Sequence, residues 1–279
     1  MRSADGARLL LLAAIWGASF LFTRIAAPAI GPLATADFRM LIAAAALLVY
    51  YRAIGFDAQW RRWWPLYVTI GVLNSAAPFL LFAFAALTLS AGLLAVLNAT
   101  SPMWGALLST IVLRERLSAR RGAGLLMGVA GVALVCAPQG TARWLEVTAA
   151  LAAAICYAVT VVVLKRWANQ ASARGMAVGT QLAGGLLLLP PLALSPAPAF
   201  TLGIIGAMLA LGLVCGALGY ILYFRLVADI GPTGALTVTY LIPIFGVIWG
   251  ALFLGETLTL PMVAGALVVV AGTALVLRG

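Results

Sequence analysis

Three aromatic side chains fall near the middle of long apolar stretches. Trp16, Tyr157 and Tyr240 each combine a large ring with one polar group. Aromatic residues at the ends of membrane segments are explained by the lipid–water interface, but that explanation fails at mid-segment. Such side chains either line a cavity, where rings bind the apolar part of a small molecule by stacking, or pack between helices. The sequence leaves both interpretations open.

Polar groups occur at a similar depth in the stretch NATSP. Asn98 and Thr100 directly precede Pro102 and place an amide and a hydroxyl inside an apolar segment. A threonine there commonly bonds to its own helix backbone, and that alternative remains open for Thr100. Asn98 is more costly to bury and has more donors and acceptors to satisfy, so we rank it first among the polar candidates for binding a substrate.

Helix-weakening residues lie close to these candidates. A proline removes one backbone donor and leaves a carbonyl unpaired, which a membrane tolerates only inside protein or beside a wet cavity. We therefore predict helix breaks or gating points at Pro78, Pro102, Gly219 and Pro243. Phe79 and Tyr220 each follow one of these residues directly and become further candidates for binding a substrate.

The sequence offers little for catalysis or metal binding. It has no histidine, and its three cysteines lie far apart in apolar runs, so we expect no cofactor and no metal. Of the seven acidic residues, only Asp37 lies clearly within an apolar segment, near its end, where it could pair with Arg24 or Arg39. Arg39, two positions along the same helix, would not face it there. We place both arginines towards helix ends. The expected cavity is then neutral and aromatic, without a central proton relay.

The elements that position these residues are membrane helices. The chain has 279 residues, of which 65% are hydrophobic and 9% charged, and its mean hydropathy is +1.13. Too few charged residues are present to cover a soluble surface. Ten apolar segments are long enough to cross a bilayer. The predicted segments are 7–28, 33–51, 64–85, 90–112, 119–137, 144–165, 173–193, 202–226, 231–254 and 259–277.

An internal repeat organises the ten segments into halves. NATSPMWGALLSTIVLRERL and TYLIPIFGVIWGALFLGETL match at a constant offset of 141 residues, which pairs Pro102 with Pro243 and Glu115 with Glu256. We therefore predict two repeats, 1–138 and 139–279. Because each contains five helices, an odd number, the second must lie inverted relative to the first. The predicted fold is an all-α membrane protein of ten transmembrane helices in two inverted five-helix repeats.

The positive charges predict the orientation. With the N-terminus inside, cytoplasmic segments hold 14 of the 17 basic residues and external loops hold only Arg143. This bias predicts that both termini are cytoplasmic. The net charge of +10 is then explained by topology and lipid headgroups, so we expect no nucleic-acid partner. The expected partners are the bilayer and a small-molecule substrate, with the chain as a monomer or weak homodimer.

The WGASF stretch of the first segment and the doubled P…LxExL block resemble the EamA family of the drug/metabolite transporter superfamily. The resemblance covers essentially the whole chain and extends to bacterial amino-acid exporters, including those for aromatic amino acids. It implies that helices 5 and 10 lie at the edge and that the other eight surround a central cavity. It also implies that Glu115 and Glu256, at opposite faces, are structural caps or gate contacts more than substrate ligands.

Together, the residues and the resemblance predict a transporter of the bacterial inner membrane that exports small amphiphilic metabolites, amino acids included, by alternating access. Export of drugs or quaternary amines through the same fold remains open. Two interpretations from other functional classes are a passive channel and an intramembrane enzyme that acts on lipids. Such an enzyme usually needs paired carboxylates, a set of metal ligands or an activated nucleophile, and the sequence offers none of these.

Overall fold

The computed structural model describes residues 3–115, 117–137, 143–167, 171–195 and 197–278. In this part of the chain the regular structure is helical, and ten helices are long and apolar enough to cross a membrane. In chain order, α1 to α10, they are Ala4–Ile30, Pro32–Ala53, Trp60–Ala85, Ala91–Val112, Ala119–Cys136, Trp144–Leu164, Ala173–Ala193, Leu202–Gly231, Gly234–Leu254 and Leu260–Leu277. The ten predicted helices are therefore confirmed. We call the membrane face at which α1 begins the N-terminal face.

Most helix boundaries lie within three residues of their predicted positions. The larger differences are at the start of α3, which begins at Trp60, and at the end of α8, which continues to Gly231. The first addition contains Arg61 and Arg62 and the second contains Asp229. These charged residues lower the local hydropathy, although helical backbone hydrogen bonding continues past the predicted boundary in both places. Gly231 has φ 77°, a left-handed conformation that favours glycine, and it turns the chain from α8 into α9.

Helices α5 and α10 pack together through paired glycines. A Cβ built on Gly124 would lie 2.7 Å from the carbonyl oxygen of Gly272, and one on Gly131 would lie 2.9 Å from that of Gly265. Residue numbers rise along one helix as they fall along the other, so the two helices are antiparallel. The two contacts are also related by the 141-residue offset. This is the contact pattern that inverted repeats produce about a two-fold axis.

Two π-helical segments interrupt α3 and α8 at equivalent places in the repeats. They span Val72–Ala76 and Ala210–Leu218, directly upstream of Pro78 and Gly219. Within the first segment the Ala77 N–H bonds to the Val72 carbonyl, five residues back. This wider register suits a chain that approaches proline, because proline has no N–H for the usual bond four residues back. Short π-helices frequently mark functional sites.

Helix α4 is interrupted beside Pro102, as predicted. It consists of Ala91–Asn98 and Ser101–Val112, with Pro102 in the first turn of the second piece. The Ser101 hydroxyl donates a 2.6 Å hydrogen bond to the Asn98 carbonyl. That carbonyl is the acceptor that proline leaves without its usual amide donor. A side chain therefore satisfies a backbone group that would otherwise be unpaired in the membrane.

The break predicted at Pro243 lies elsewhere. A continuous helix runs from Val238 to Leu254 through Pro243, and the interruption falls upstream at Thr237. Proline disturbs the turn that precedes it, because its ring meets the carbonyl four residues earlier. The interruption is therefore displaced towards the N-terminal end of the helix, as it also is before Pro102.

Candidate functional site

Four of the predicted binding residues come together between the two repeats. Trp16 of α1 meets Tyr220 of α8 edge to face, with ring centroids 6.4 Å apart and planes at 73°. Tyr157 of α6 packs against the buried group that contains Phe79 of α3. We call Trp16, Phe79, Tyr157 and Tyr220 the aromatic cluster. Its rings come from four helices and both repeats.

Trp16 is held in place through its indole nitrogen. Its N–H donates a 3.2 Å hydrogen bond to the Cys215 carbonyl in the π-helical segment of α8. A Cβ on Gly219 would lie only 2.6 Å from the same nitrogen, so glycine is needed for this close approach. Gly219 therefore makes room for the Trp16 ring, a role that adds to the helix weakening predicted from sequence.

The remaining predicted binding residues lie on α4 and α9. The Thr100 hydroxyl donates a 2.6 Å bond to the Leu97 carbonyl and accepts a 3.2 Å bond from the Trp104 indole. This agrees with the backbone-bonding alternative for Thr100. Asn98 is half-buried, and within the described residues its side-chain amide has no hydrogen bond. Tyr240 is half-buried on α9.

The cluster is not neutral, and the expectation of a neutral cavity is wrong. The guanidinium carbon of Arg39 lies 3.8 Å from the centroid of the Phe79 ring, on its face. Tyr157, Tyr220 and Cys215 are close enough to interact electrostatically with this cation. Arg39 is the eighth residue of α2, about 10 Å along the helix from its start. Its long side chain reaches further inward, where aromatic rings partly stabilise the charge.

A buried polar network adjoins the cluster and was missed from sequence. The Gln181 amide of α7 donates to the Ser75 hydroxyl at 3.1 Å and to the Tyr220 hydroxyl at 3.2 Å. Asn74 also lies within hydrogen-bonding reach of Tyr220. Gln181 is only 1% exposed. The available signals were an amide inside the apolar stretch VGTQLAGG and the Asn-Ser pair just upstream of Pro78.

The pairing expected of Asp37 is also wrong. Asp37 is fully buried, and neither carboxyl oxygen has a hydrogen-bond partner. Arg24 instead donates to the Leu87 carbonyl at 3.5 Å. Arg39 follows Asp37 by two positions, and residues two apart on a helix point to different sides. The carboxyl and the guanidinium therefore share a helix without meeting.

Glu256 caps a helix at the face opposite the N-terminal face. Its two carboxylate oxygens accept bonds from the backbone N–H groups of Ala91 at 2.7 Å and Gly92 at 3.2 Å, at the start of α4. A carboxylate at a helix N-terminus satisfies free donors and suits the helix dipole.

Arg24, Arg143 and Glu256 line part of a cavity of about 400 Å³ at the same face. At the N-terminal face, Glu115 lies 3.6 Å from Arg121.

The two membrane faces are packed unequally. Gly246 of α9 lies so close to α4 that a Cβ there would be 2.3 Å from the Cβ of Ala95, which is fully buried. The equivalent glycine of the first repeat, Gly105, has nothing within 4 Å of its Cβ position. The equivalent of Ala95 is Leu236, which is 39% exposed. Helices α4 and α9 are therefore in close contact at the face opposite the N-terminal face, and they are separated near the N-terminal face.

Ten membrane-length helices around an inter-repeat aromatic cluster, closed at one end, define a multi-pass membrane transporter. The chain belongs to the EamA-like transporter family, which matches residues 6–137 and again residues 144–278. Members of this family are transporters rather than enzymes, so the reading as an intramembrane lipid enzyme is set aside.

Individual relatives span almost the whole chain. An uncharacterised transporter of Bacillus subtilis (strain 168) is 26% identical over 96% of this chain and 90% of its own length. A probable terminal-alkyne amino-acid exporter of Streptantibioticus cattleyicolor is 25% identical over 93% and 89%. A probable amino-acid metabolite efflux pump of Salmonella typhimurium is 26% identical over 98% and 94%. A crystal structure with a TM-score of 0.70 and 19% identity covers 99% of this chain and 96% of its own, and shares the fold.

Proposed function

We propose that the protein exports small amphiphilic metabolites across the bacterial inner membrane, with amino acids, aromatic ones included, as its substrates. The observation that carries this proposal is the aromatic cluster, which joins both repeats and adjoins the Gln181–Tyr220 hydrogen bond. Rings bind an apolar side chain by stacking, while amide and hydroxyl groups suit the polar end of an amino acid. The names of the Streptantibioticus and Salmonella relatives support the same substrate class.

Quaternary amines and cationic drugs are less well suited to this site. The Arg39 guanidinium lies on the face of Phe79, so the ring that would attract a ligand cation already holds one. A second positive charge there would be repelled at short range in a low-dielectric interior. This contact favours substrates that carry a negative or zwitterionic polar end.

The proposed mechanism is alternating access between two related conformations. The unequal packing at Gly246 and Gly105 supports it, because inverted repeats can exchange their conformations and so exchange which face is closed. The charge bias supports cytoplasmic termini, and in that orientation α4 and α9 are separated near the cytoplasmic face. We further propose that the chain acts in the bilayer as a monomer or weak homodimer.

Counterflow in proteoliposomes tests the function. Purified protein is assayed with amino acids, polyamines, quaternary amines and sugars, with and without a pH gradient. We expect saturable uptake and counterflow for amino acids, L-phenylalanine among them. Flux that neither saturates nor shows counterflow would identify a passive channel. Transport of quaternary amines without transport of amino acids would contradict the proposed substrate class.

Two variants test the aromatic binding residues. Trp16→Ala and Tyr240→Ala should each lower L-phenylalanine counterflow at least about tenfold while the protein remains monodisperse in detergent. Trp144→Ala is the matched control, because Trp144 is the first residue of α6 and is 51% exposed. Full activity in both Trp16→Ala and Tyr240→Ala would contradict binding by these rings.

A further inference from the structure

Arg39 is a cation without an anionic partner in the part of the chain that the structure describes. Other arginines there do have one: Arg8 lies 2.6 Å from Asp229, and Arg121 lies 3.6 Å from Glu115. The guanidinium of Arg39 instead lies on the face of the Phe79 ring. The nearest acidic residue in sequence, Asp37, makes no hydrogen bond.

An unpaired guanidinium inside a membrane protein is unfavourable. Arginine keeps its proton under all physiological conditions, so it cannot avoid the desolvation cost by becoming neutral. Stacking on an aromatic ring offsets only part of that cost. Charged residues within membrane helices are accordingly rare, and those present commonly belong to substrate or ion pathways.

The contact with Phe79 leaves donors available. Arginine carries five N–H donors in a planar fork, and a contact through the ring face uses none of them as a conventional hydrogen bond. The fork matches the two oxygens of a carboxylate, with two parallel hydrogen bonds. Phe79 belongs to the aromatic cluster, so an anion bound here would lie beside the rings that hold an apolar side chain.

We propose that Arg39 binds the α-carboxylate of the transported amino acid and thereby makes a free carboxylate a requirement for transport. This inference rests on the proposed function and names the chemical feature that the site selects. Phe79 holds the guanidinium in place, and Trp16, Tyr157 and Tyr220 receive the side chain. Amino-acid amides and the corresponding amines, which lack the carboxylate, are then poor substrates.

The test compares L-phenylalanine with L-phenylalaninamide in proteoliposomes, using wild-type protein, Arg39→Gln, Arg39→Lys and Arg52→Gln. Wild-type protein should show an apparent KM for the amide at least about tenfold higher than for the acid. Arg39→Gln should raise the KM for the acid at least tenfold and abolish this preference. Arg39→Lys should keep part of it, since it keeps the charge without the planar fork. Arg52 is exposed on the same helix, so Arg52→Gln should behave as wild type.

The outcomes separate this inference from the proposed function. Wild-type protein that shows no counterflow with any amino acid contradicts the proposed function, and the inference falls with it. Wild-type protein that transports acid and amide equally well overturns the inference alone. An unchanged preference in Arg39→Gln also overturns it.

A binding measurement covers the case in which Arg39→Gln does not fold. Trp16 belongs to the aromatic cluster and contacts Tyr220, so binding can be followed by tryptophan fluorescence of the wild-type protein. The titrants are L-phenylalanine, L-phenylalaninamide and acetate. We expect saturation with the acid at concentrations at least tenfold below those needed for the amide or for acetate. Equal responses to acetate and L-phenylalanine would show that Arg39 holds a free anion, and equal responses to acid and amide would show no carboxylate requirement. Either result overturns the proposal.

Discussion

The carboxylate of Glu256, just beyond the end of α9, accepts a 2.7 Å hydrogen bond from the backbone N–H of Ala91, the first residue of α4. The two residues belong to different repeats, so this bond fastens the repeats together at one membrane face. The Ser90 hydroxyl accepts a further bond from the Leu93 N–H at the same helix start. The N-terminal donors of α4 are thus satisfied by two side chains, of which only Glu256 comes from the other repeat.

Removal of the Glu256 carboxylate should destabilise the protein. We expect Glu256→Ala to lower the free energy of unfolding by about 1–2 kcal/mol, because two backbone donors lose a charged acceptor. Glu256→Gln should lose less, since one amide oxygen can still accept. The measurement is thermal unfolding in detergent. Glu146→Gln is the control, because it removes a charge near the same face without removing a cap, and equal losses in Glu256→Ala and Glu146→Gln would contradict the capping role.

The open space at Gly105 predicts a variant that folds but does not transport. In this conformation a Cβ at Gly105 meets nothing within 4 Å, so we expect Gly105→Leu to fold with little loss of thermal stability. In the opposite conformation that we propose, Gly105 would pack as Gly246 does here, and a leucine side chain would prevent that approach. We expect L-phenylalanine counterflow to fall at least about tenfold.

Gly203→Leu serves as the control for Gly105→Leu, because Gly203 also has nothing within 4 Å of its Cβ position and lies at the start of α8, away from α4 and α9. It should retain wild-type counterflow. Wild-type activity in Gly105→Leu would instead show that this part of α4 keeps its spacing throughout the transport cycle.

The close approach of Gly219 to Trp16 predicts a further effect. Replacement of a helical glycine by alanine ordinarily stabilises a helix by up to about 1 kcal/mol. Gly219→Ala should do the reverse, because its Cβ would lie 2.6 Å from the Trp16 indole nitrogen and displace the ring from the Cys215 carbonyl. Thermal unfolding and the tryptophan emission maximum measure both effects. Gly206→Ala on the same helix has free space and should be neutral or stabilising, and a similar result for Gly219→Ala would be evidence against the contact.

The hydrogen bond between Gln181 and Tyr220 should appear as coupling in a double-mutant cycle. Gln181→Leu leaves the buried Ser75 and Tyr220 hydroxyls without this partner and should lower the free energy of unfolding by about 1–3 kcal/mol. Tyr220→Phe alone should have a smaller effect. The double variant should lose less than the sum of the two single losses, by about 0.5 kcal/mol or more. Strictly additive losses would mean that the two side chains act independently.

Much of the aromatic cluster could be predicted from the sequence. Trp16 and Tyr157 are recognisable because they are aromatic at mid-segment, and Phe79 and Tyr220 because each directly follows a helix-weakening residue. Both signals are local in sequence. Asn98 and Tyr240 remain predictions for binding, while the hydroxyl of Thr100 is engaged within α4.

The location of the Arg39 guanidinium could not be predicted from the sequence. Position along a helix predicts the depth of the Cα atom, but the guanidinium lies at the end of a long, flexible side chain. Its direction is decided by which helices pack beside α2. The Phe79 ring comes from α3, and Tyr157 and Tyr220 come from the second repeat, so no local pattern could place the cation among them.

The sequence by itself determined the membrane class, the ten helices and the similarity of the two halves, because each depends on local hydropathy or on self-similarity at a constant offset. Only the tertiary structure decided the charge of the site, the unpaired state of Asp37 and which membrane face is closed. These properties depend on side chains from different helices meeting within a few ångströms. Gly105 and Gly246 are equivalent in sequence and differ in packing, because Gly246 meets Ala95 of another helix whereas no atom lies within 4 Å of the Cβ position of Gly105.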